Sequence, residues 1–181
     1  MHTIFLDRDG VIIRKAPEEE YVADWSEVDF LPGSLEAIAA FSRFGYKVIV
    51  ITNQRGVATG KIELAKLNEI HTNMKQVIAG CGGNISAIYW CPHDIGEGCS
   101  CRKPKPGMLL QAAIEHKLHL PDCWMVGDTV TDIAAGHSAG CKTALITQSG
   151  EFCQWTEKPD LWAGSLALVA EQILGEGSGE K

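Results

Sequence analysis

Two kinds of apolar pattern occur along the chain, continuous runs and helical spacing, and the order of these patterns predicts the fold. Continuous apolar runs are typical of strands buried on both faces, and they lie at 3–6, 47–52, 86–90, 123–126 and 142–146. Apolar residues at helical spacing predict helices over 34–44, 61–79, 107–117 and 131–139, with a last helix within 161–174. Because strands alternate with helices, the sequence predicts an α/β fold with a doubly wound parallel sheet.

The length and composition predict a single domain. A chain of 181 residues with 45% hydrophobic residues is long enough to bury its own core. We find neither an internal repeat nor a linker, so residues 1–174 are predicted to form one domain. Residues 175–181 are rich in glycine and charge, and we predict a flexible tail there. Residues 12–31 carry no clear period and are predicted to form a loop.

Charge and hydropathy limit the partners of the chain. The formal net charge of −7 argues against nucleic-acid binding, because neutralising phosphates requires clustered lysine and arginine. We find no apolar run long enough to span a membrane and no secretory signal, so we predict a cytoplasmic protein without a membrane partner. We also expect a monomer.

Acidic residues follow two of the predicted strands. Asp7 and Asp9 come directly after the first strand, and Asp128 comes after the fourth. Carboxylates brought together at one edge of a parallel sheet suit Mg²⁺, a hard cation that usually bridges to phosphate. Each acid alone also fits a helix or loop cap, but capping does not explain three acids at the ends of different strands.

Two further residues supply groups that bind an anion. Thr52 ends the second predicted strand with a hydroxyl, and Lys103 supplies a cation before the third helix. A phosphoryl group held between Mg²⁺, Lys103 and Thr52 would have its charge neutralised. Such a site could use Asp7 as a nucleophile and Asp9 as the group that gives and takes the proton. Strand-end threonines and surface lysines are also common without any function.

Four of the eleven residues from 91 to 101 are cysteine or histidine, the soft or borderline metal ligands. Cys91, His93, Cys99 and Cys101 form two close pairs joined by a polar loop, and this set suits a tetrahedral, structural Zn²⁺. The alternatives are packed thiols or a redox pair at Cys99 and Cys101. The other cysteines are scattered, and we interpret them as reduced thiols. These are Cys81, Cys123, Cys141 and Cys153.

Four motifs together resemble those of the haloacid dehalogenase (HAD) superfamily of phosphatases. They are D-x-D-G-V at 7–11, T-N-Q at 52–54, R-K-P-x-P-G-M at 102–108 and G-D-x₃-D at 127–132. The segment from Cys91 to Lys103 is similar to a narrower branch, which contains the heptose bisphosphate and histidinol phosphate phosphatases. The resemblance covers about residues 3–150 and implies a Rossmann-like HAD core with a minimal cap domain or none.

The resemblance also implies roles for individual residues. It implies catalytic Mg²⁺ and structural Zn²⁺ as cofactors, with Asp7 as the nucleophile and Asp9 as the general acid and base. Mg²⁺ would be held by the Asp7 side chain, the Asp9 carbonyl and Asp128, with Asp132 supporting these ligands. Thr52 and Lys103 would bind the phosphoryl group, and Asn53 and Arg102 would face the substrate.

The implied activity is a Mg²⁺-dependent phosphomonoesterase that works through an aspartyl-phosphate. Heptose 1,7-bisphosphate is the first candidate substrate, and histidinol phosphate or another small sugar phosphate is the alternative. The branch usually has an arginine at the position of Thr59, and we predict that Arg55 replaces it. A function of a different class also stays open, that of a zinc-stabilised module that binds a phosphorylated ligand without turnover.

Overall fold

The computed structural model describes residues 2–18, 20–149 and 155–176. The strands in these ranges are β1 (Thr3–Leu6), β2 (Lys47–Asn53), β3 (Ile85–Cys91), β4 (Cys123–Gly127), β5 (Lys142–Ile146) and β6 (Leu161–Ala163). The α-helices are α1 (Ser34–Arg43), α2 (Arg55–Ala58), α3 (Leu64–Gly80), α4 (Gly107–His116), α5 (Val130–Ala139) and α6 (Leu166–Glu176). Single-turn 3₁₀ helices lie at Trp25–Glu27, Ile95–Glu97 and Leu120–Asp122.

The six strands of the described residues form one parallel sheet in the order β3-β2-β1-β4-β5-β6. This arrangement confirms the predicted doubly wound α/β fold. In the long connection from β1 to α1, the described residues contain only one single-turn 3₁₀ helix. The prediction of a minimal cap domain or none is therefore confirmed.

The end of the chain, after residue 160, differs from the predicted pattern. A last helix was predicted within 161–174 and is present as α6, but the strand β6 at Leu161–Ala163, which pairs with β5, was not predicted. A strand of three residues is too short to show a period, so the apolar run alone does not separate it from a helix. Helix α6 continues to Glu176, and the rest of the predicted tail, residues 177–181, lies outside the described residues.

Helices cover both faces of the sheet because alternate strand residues point to opposite sides. Ile4 and Leu6 of β1 belong to a buried cluster that includes residues of α1, α3 and α6. Phe5, between them, belongs to a second cluster with residues of α4 and α5. Among the described helices, none is long and apolar enough to cross a membrane.

Candidate active site

The carboxyl ends of β1, β2 and β4 place the predicted site residues at one edge of the sheet. Asp7 follows β1, Thr52 lies near the end of β2, and Asp128 follows β4. These residues become neighbours because β1 pairs in parallel with both β2 and β4. This edge is also where the chain changes direction between the two halves of the sheet, the usual ligand-binding position in such folds.

A buried lysine joins two carboxylates at the centre of this edge. Lys103 is 3% exposed, and its Nζ lies 2.9 Å from Asp7 Oδ1 and 2.6 Å from Asp132 Oδ1. The same ammonium donates a hydrogen bond to the Ile51 carbonyl at 3.0 Å. One buried cation is therefore shared by a predicted nucleophile and by the acid predicted to support the metal ligands.

Asn53 holds the backbone of Lys103 in place. Its Nδ2 donates to the Lys103 carbonyl, and its Oδ1 accepts from the Lys103 N–H, both at 3.1 Å. The sequence predicted that Asn53 faces the substrate, whereas these bonds give it a structural contact that the sequence did not predict. The loop before α4 is thereby fixed to the end of β2.

Burial and charge together set the pKa values at this centre. Burial raises the pKa of Asp7, Lys103 opposes the rise, and the carboxylates of Asp132 and Asp9 add to it, so that the value reaches about 7. Burial alone would lower the pKa of Lys103, but Asp132 and Asp7 outweigh it and raise that pKa above its usual range. The site thus stabilises positive charge and disfavours a further unpaired negative charge.

Three carboxylates at this edge fit a hard divalent cation. Carboxylate oxygens of Asp7, Asp128 and Asp132 all lie within 4.8 Å of one another. Asp128 Oδ1 is buried and has no hydrogen-bond partner among the described residues, whereas its Oδ2 accepts from Lys15 Nζ at 3.1 Å. An unpaired buried carboxylate oxygen is costly unless a cation or donor reaches it. The donor set therefore fits Mg²⁺, which prefers carboxylate oxygens.

Asp132 is held by the start of its own helix as well as by Lys103. Its Oδ2 accepts from the Thr129 N–H at 3.1 Å and from the Thr129 hydroxyl at 2.7 Å. Gly127 allows this approach, because a Cβ on it would lie 2.1 Å from Asp132 Cβ. The G-D-x₃-D motif thus places one acid, Asp128, toward the open edge and the other, Asp132, beneath it.

Asp9 contacts two residues, Arg8 and Gln54, to which the sequence assigned no role. Arg8 donates to Asp9 Oδ2 from Nε at 3.1 Å and to Asp9 Oδ1 from Nη2 at 3.0 Å. Gln54 Nε2 donates to Asp9 Oδ2 at 3.0 Å and to Thr52 Oγ1 at 2.8 Å. Arg8 is 1% exposed, and its Nη1 lies 3.4 Å from His71 Nε2 on α3. An arginine between two acids at the end of an apolar strand was the available signal for this network.

The four predicted zinc ligands lie close together. Cys91 Sγ is 3.2 Å from Cys101 Sγ and 3.7 Å from Cys99 Sγ, and His93 Nδ1 is 3.2 Å from Cys101 Sγ. Four soft or borderline donors grouped in this way fit tetrahedral Zn²⁺ with no open position. Outside this group, the described cysteines Cys81, Cys123 and Cys141 are free, and Cys153 lies outside the described residues.

Two predicted substrate-binding arginines contact the loop that carries these ligands. Arg55 Nε pairs with Asp94 Oδ1 on the loop between β3 and α4. Arg102 Nη1 donates to the His93 carbonyl at 3.3 Å. Both guanidinium groups therefore depend on the position of the same loop, which is why the four predicted zinc ligands bear on the site.

A cavity of about 470 Å³ opens beside Asp128. Its wall includes Gly10 and Val11 after β1, Leu31 before α1, and Ile146 at the end of β5. It is mainly apolar at these positions, with Asp128 as its charged member. The cavity adjoins the carboxylate cluster, so a molecule bound at the acids has space beside it.

The parallel sheet, the strand-end aspartates and the buried lysine define a phosphate-handling enzyme of the HAD type. Residues 100–169 match the family described as HAD-hydrolase-like. A D-glycero-β-D-manno-heptose-1,7-bisphosphate 7-phosphatase of Pseudomonas aeruginosa is 38% identical over 94% of this chain and 97% of its own. The enzyme with that name from Pseudomonas putida is 41% identical over 96% of this chain and 100% of its own.

A solved structure has the same fold throughout. The D,D-heptose 1,7-bisphosphate phosphatase of Bordetella bronchiseptica, complexed with magnesium and phosphate, superposes with a TM-score of 0.90 at 39% identity. The match covers 97% of this chain and 99% of that chain. The chain therefore belongs to the HAD phosphatases, in the family of the D-glycero-D-manno-heptose 1,7-bisphosphate 7-phosphatases.

Proposed function

We propose that this phosphatase removes the 7-phosphate of D-glycero-β-D-manno-heptose 1,7-bisphosphate through an aspartyl-phosphate on Asp7. The observation that carries the mechanism is the buried contact of Lys103 Nζ with Asp7 Oδ1 at 2.9 Å, next to the unpaired oxygen of Asp128. The names of relatives that align over 94–96% of this chain support the substrate.

The proposed reaction has two steps. An oxygen of Asp7 attacks phosphorus, the bond from phosphorus to the sugar oxygen breaks, and Asp9 gives its proton to that leaving oxygen. Water then attacks the phosphorus of the aspartyl-phosphate, Asp9 takes a proton from the water, and inorganic phosphate leaves with Asp7 restored. Lys103 stays charged throughout and offsets the negative charge of the phosphoryl oxygens.

Other groups at the edge of the sheet are proposed to hold Mg²⁺ and to support its ligands. Asp7, Asp128 and the Asp9 carbonyl would hold Mg²⁺, and Asp132 supports this set through Lys103. Bound Mg²⁺ supplies charge neutralisation for the phosphoryl oxygens. The crystal structure of the related Bordetella enzyme with magnesium and phosphate supports this cofactor. Thr52 faces the same region, with its hydroxyl hydrogen-bonded by Gln54.

The loop between β3 and α4 is the proposed site of a structural Zn²⁺. Cys91, His93, Cys99 and Cys101 would hold the ion, and their grouping within 4.8 Å supports it. The ion would fix the loop that delivers Arg102 and Lys103 to the phosphoryl group. Arg102 and Arg55 are proposed to bind the part of the substrate that does not react. The cytoplasmic location and the monomeric state stay predictions from the sequence.

The deciding experiment measures phosphate release with Mg²⁺ from heptose 1,7-bisphosphate and histidinol phosphate, in the intact protein and in Asp7→Asn. We expect preference for the bisphosphate and a loss of turnover of roughly 10⁴-fold or more in the variant. Asp122→Asn is the matched control, because Asp122 is an exposed aspartate before the amino end of β4, whereas the site lies at the carboxyl ends of the strands, and its side chain pairs with His119. Preference for histidinol phosphate would overturn the substrate and keep the mechanism. A protein that binds phosphate esters without turnover would overturn both and favour a binding module.

A further inference from the structure

The carboxylate of Asp9 is held by a buried guanidinium at both of its oxygens. Arg8 Nε donates to Oδ2 at 3.1 Å and Arg8 Nη2 donates to Oδ1 at 3.0 Å. This fork fixes the plane of the carboxylate as well as its place, because guanidinium and carboxylate match only when nearly coplanar. Arg8 is 1% exposed, so water does not compete for these bonds.

Gln54 completes the arrangement from the neighbouring strand end. Its Oε1 accepts from Arg8 Nη2 at 3.1 Å, and its Nε2 donates to Asp9 Oδ2 at 3.0 Å. The amide thus has its oxygen toward the cation and its nitrogen toward the anion. On the other side, Arg8 Nη1 lies 3.4 Å from His71 Nε2. Burial and the charge of Arg8 lower the pKa of His71 to about 4, so the neutral ring accepts that hydrogen bond.

The donors are not shared equally between the two carboxylate oxygens of Asp9. Oδ2 accepts from Arg8 Nε and from Gln54 Nε2, which fills both of its acceptor positions, and Arg8 Nη2 also lies 3.0 Å from it. Oδ1 accepts from Arg8 Nη2 alone among the described residues. One acceptor position of Oδ1 therefore stays available to a reacting group.

We propose that Arg8, together with Gln54, is the positioning residue that turns Asp9 Oδ1 toward the reacting oxygen atoms. This inference rests on the proposed role of Asp9 as general acid and base. Arg8 is 1% exposed and contacts Asp9, so it acts through the orientation of that carboxylate. Proton transfer to the leaving oxygen and from the attacking water takes place at Oδ1, while Oδ2 is held.

Leaving groups of different acidity separate this role from a structural one. A sugar alkoxide leaves only with a proton, whereas p-nitrophenolate is stable as an anion and leaves without one. A misplaced Asp9 therefore slows cleavage of the sugar ester much more than cleavage of the aryl ester. The comparison uses kcat/KM, which ends at departure of the leaving group and excludes the later hydrolysis of the aspartyl-phosphate.

The experiment measures kcat/KM for heptose 1,7-bisphosphate and for p-nitrophenyl phosphate in Arg8→Met, Arg8→Lys, Gln54→Met and Asp9→Asn. We expect Arg8→Met to lower the sugar-ester value about 100-fold and the aryl-ester value less than about 10-fold, the pattern of a lost general acid. Arg8→Lys keeps the charge without the fork and should recover only part of the loss. Arg43→Met is the matched control, because Arg43 is an exposed arginine of α1.

Gln54→Met keeps the test decisive if Arg8→Met does not fold, because it removes a neutral side chain and leaves the buried ion pair. It should show the same selectivity with a smaller loss. Adding Arg8→Met or Gln54→Met to Asp9→Asn should cost almost nothing further if the three residues act as one unit. Equal losses for both esters in Arg8→Met and Gln54→Met, with a selective loss in Asp9→Asn, would overturn the positioning role alone. Equal losses in Asp9→Asn would overturn it together with the proposed role of Asp9.

Discussion

The ammonium of Lys103 lies 2.9 Å from Oδ1 of Asp7, and this pair is almost closed to water. Because Asp132 contacts the same ammonium at 2.6 Å, removing the lysine leaves two buried acids without the cation that they share. We expect Lys103→Met to lower the free energy of unfolding by about 3–5 kcal/mol and to abolish turnover. Urea unfolding and phosphate release measure the two effects.

Lys66→Met is the matched control for this change, because Lys66 also contacts two carboxylates, those of Asp24 and Glu69, but at an exposed position. Its cost should stay within about 1 kcal/mol. Adding Asp132→Asn to Lys103→Met should recover part of the stability and none of the turnover. An equal loss of stability in the Lys66 and Lys103 variants would contradict the role of burial.

Gly10 gives a test of the proposed metal site. Its φ of +88° favours glycine, and a Cβ there would lie 2.3 Å from Asp128 Oδ2. We expect Gly10→Ala to raise the Mg²⁺ concentration for half-maximal activity at least about 10-fold, because the methyl group displaces a ligand, and such displacement typically costs one or more kcal/mol. Gly60 has a φ of +70° with no atom within 4 Å of the added Cβ, so Gly60→Ala has the strain without the clash. Equal Mg²⁺ dependence in the two variants would count against Asp128 as a ligand.

The sequence predicted the sheet and the central acids because both depend on local pattern. Apolar runs mark β1 to β5, and Asp7 and Asp128 follow two of them directly. Parallel pairing then brings such residues together without further information. The cysteine cluster was predicted for a related reason, since two close pairs joined by a short loop cannot lie far apart.

The partners of Asp9 could not be predicted in this way. Arg8 has the sequence appearance of a surface cation, and its burial follows only when α3 brings His71 against the end of β1. Gln54 lies in the T-N-Q motif, one of the four that carry the family resemblance. The directions of its two hydrogen bonds, however, depend on where Arg8 and Asp9 lie. The contact of Asn53 with the Lys103 backbone could not be predicted either, because it joins segments that are distant in the chain.

The cluster of Cys91, His93, Cys99 and Cys101 predicts that stability and turnover depend on bound Zn²⁺. We expect one Zn²⁺ per chain by elemental analysis and none in Cys99→Ser, with a fall in Tm of at least about 5 °C, since losing a metal ligand costs a few kcal/mol. Turnover should fall with it, because Arg102 and Lys103 follow Cys101 directly. Cys81→Ser is the control, an exposed free cysteine outside the cluster. Full activity of a zinc-free protein would contradict the proposed role of the loop.

The low pKa of His71 in the folded protein predicts that the free energy of unfolding depends on pH. Burial, with the charge of Arg8, lowers its pKa from 6.5 to about 4 in the folded protein. Between these values the unfolded chain binds the proton more strongly, so the free energy of unfolding falls as pH decreases from about 6.5 to 4. At pH 4 this single group accounts for about 3 kcal/mol of the loss.

His71→Gln removes this titration and keeps an oxygen that can accept from Arg8. We therefore expect urea unfolding of the variant to lose about 3 kcal/mol less than the wild type between pH 7 and pH 4. Other titrating groups are common to both proteins and cancel in the difference. His119→Gln is the control, because the His119 side chain is 73% exposed, and its curve should parallel that of the wild type. A His71→Gln curve that also runs parallel would show that the folded protein protonates His71 as readily as the unfolded chain, and Arg8 would then face a charged ring.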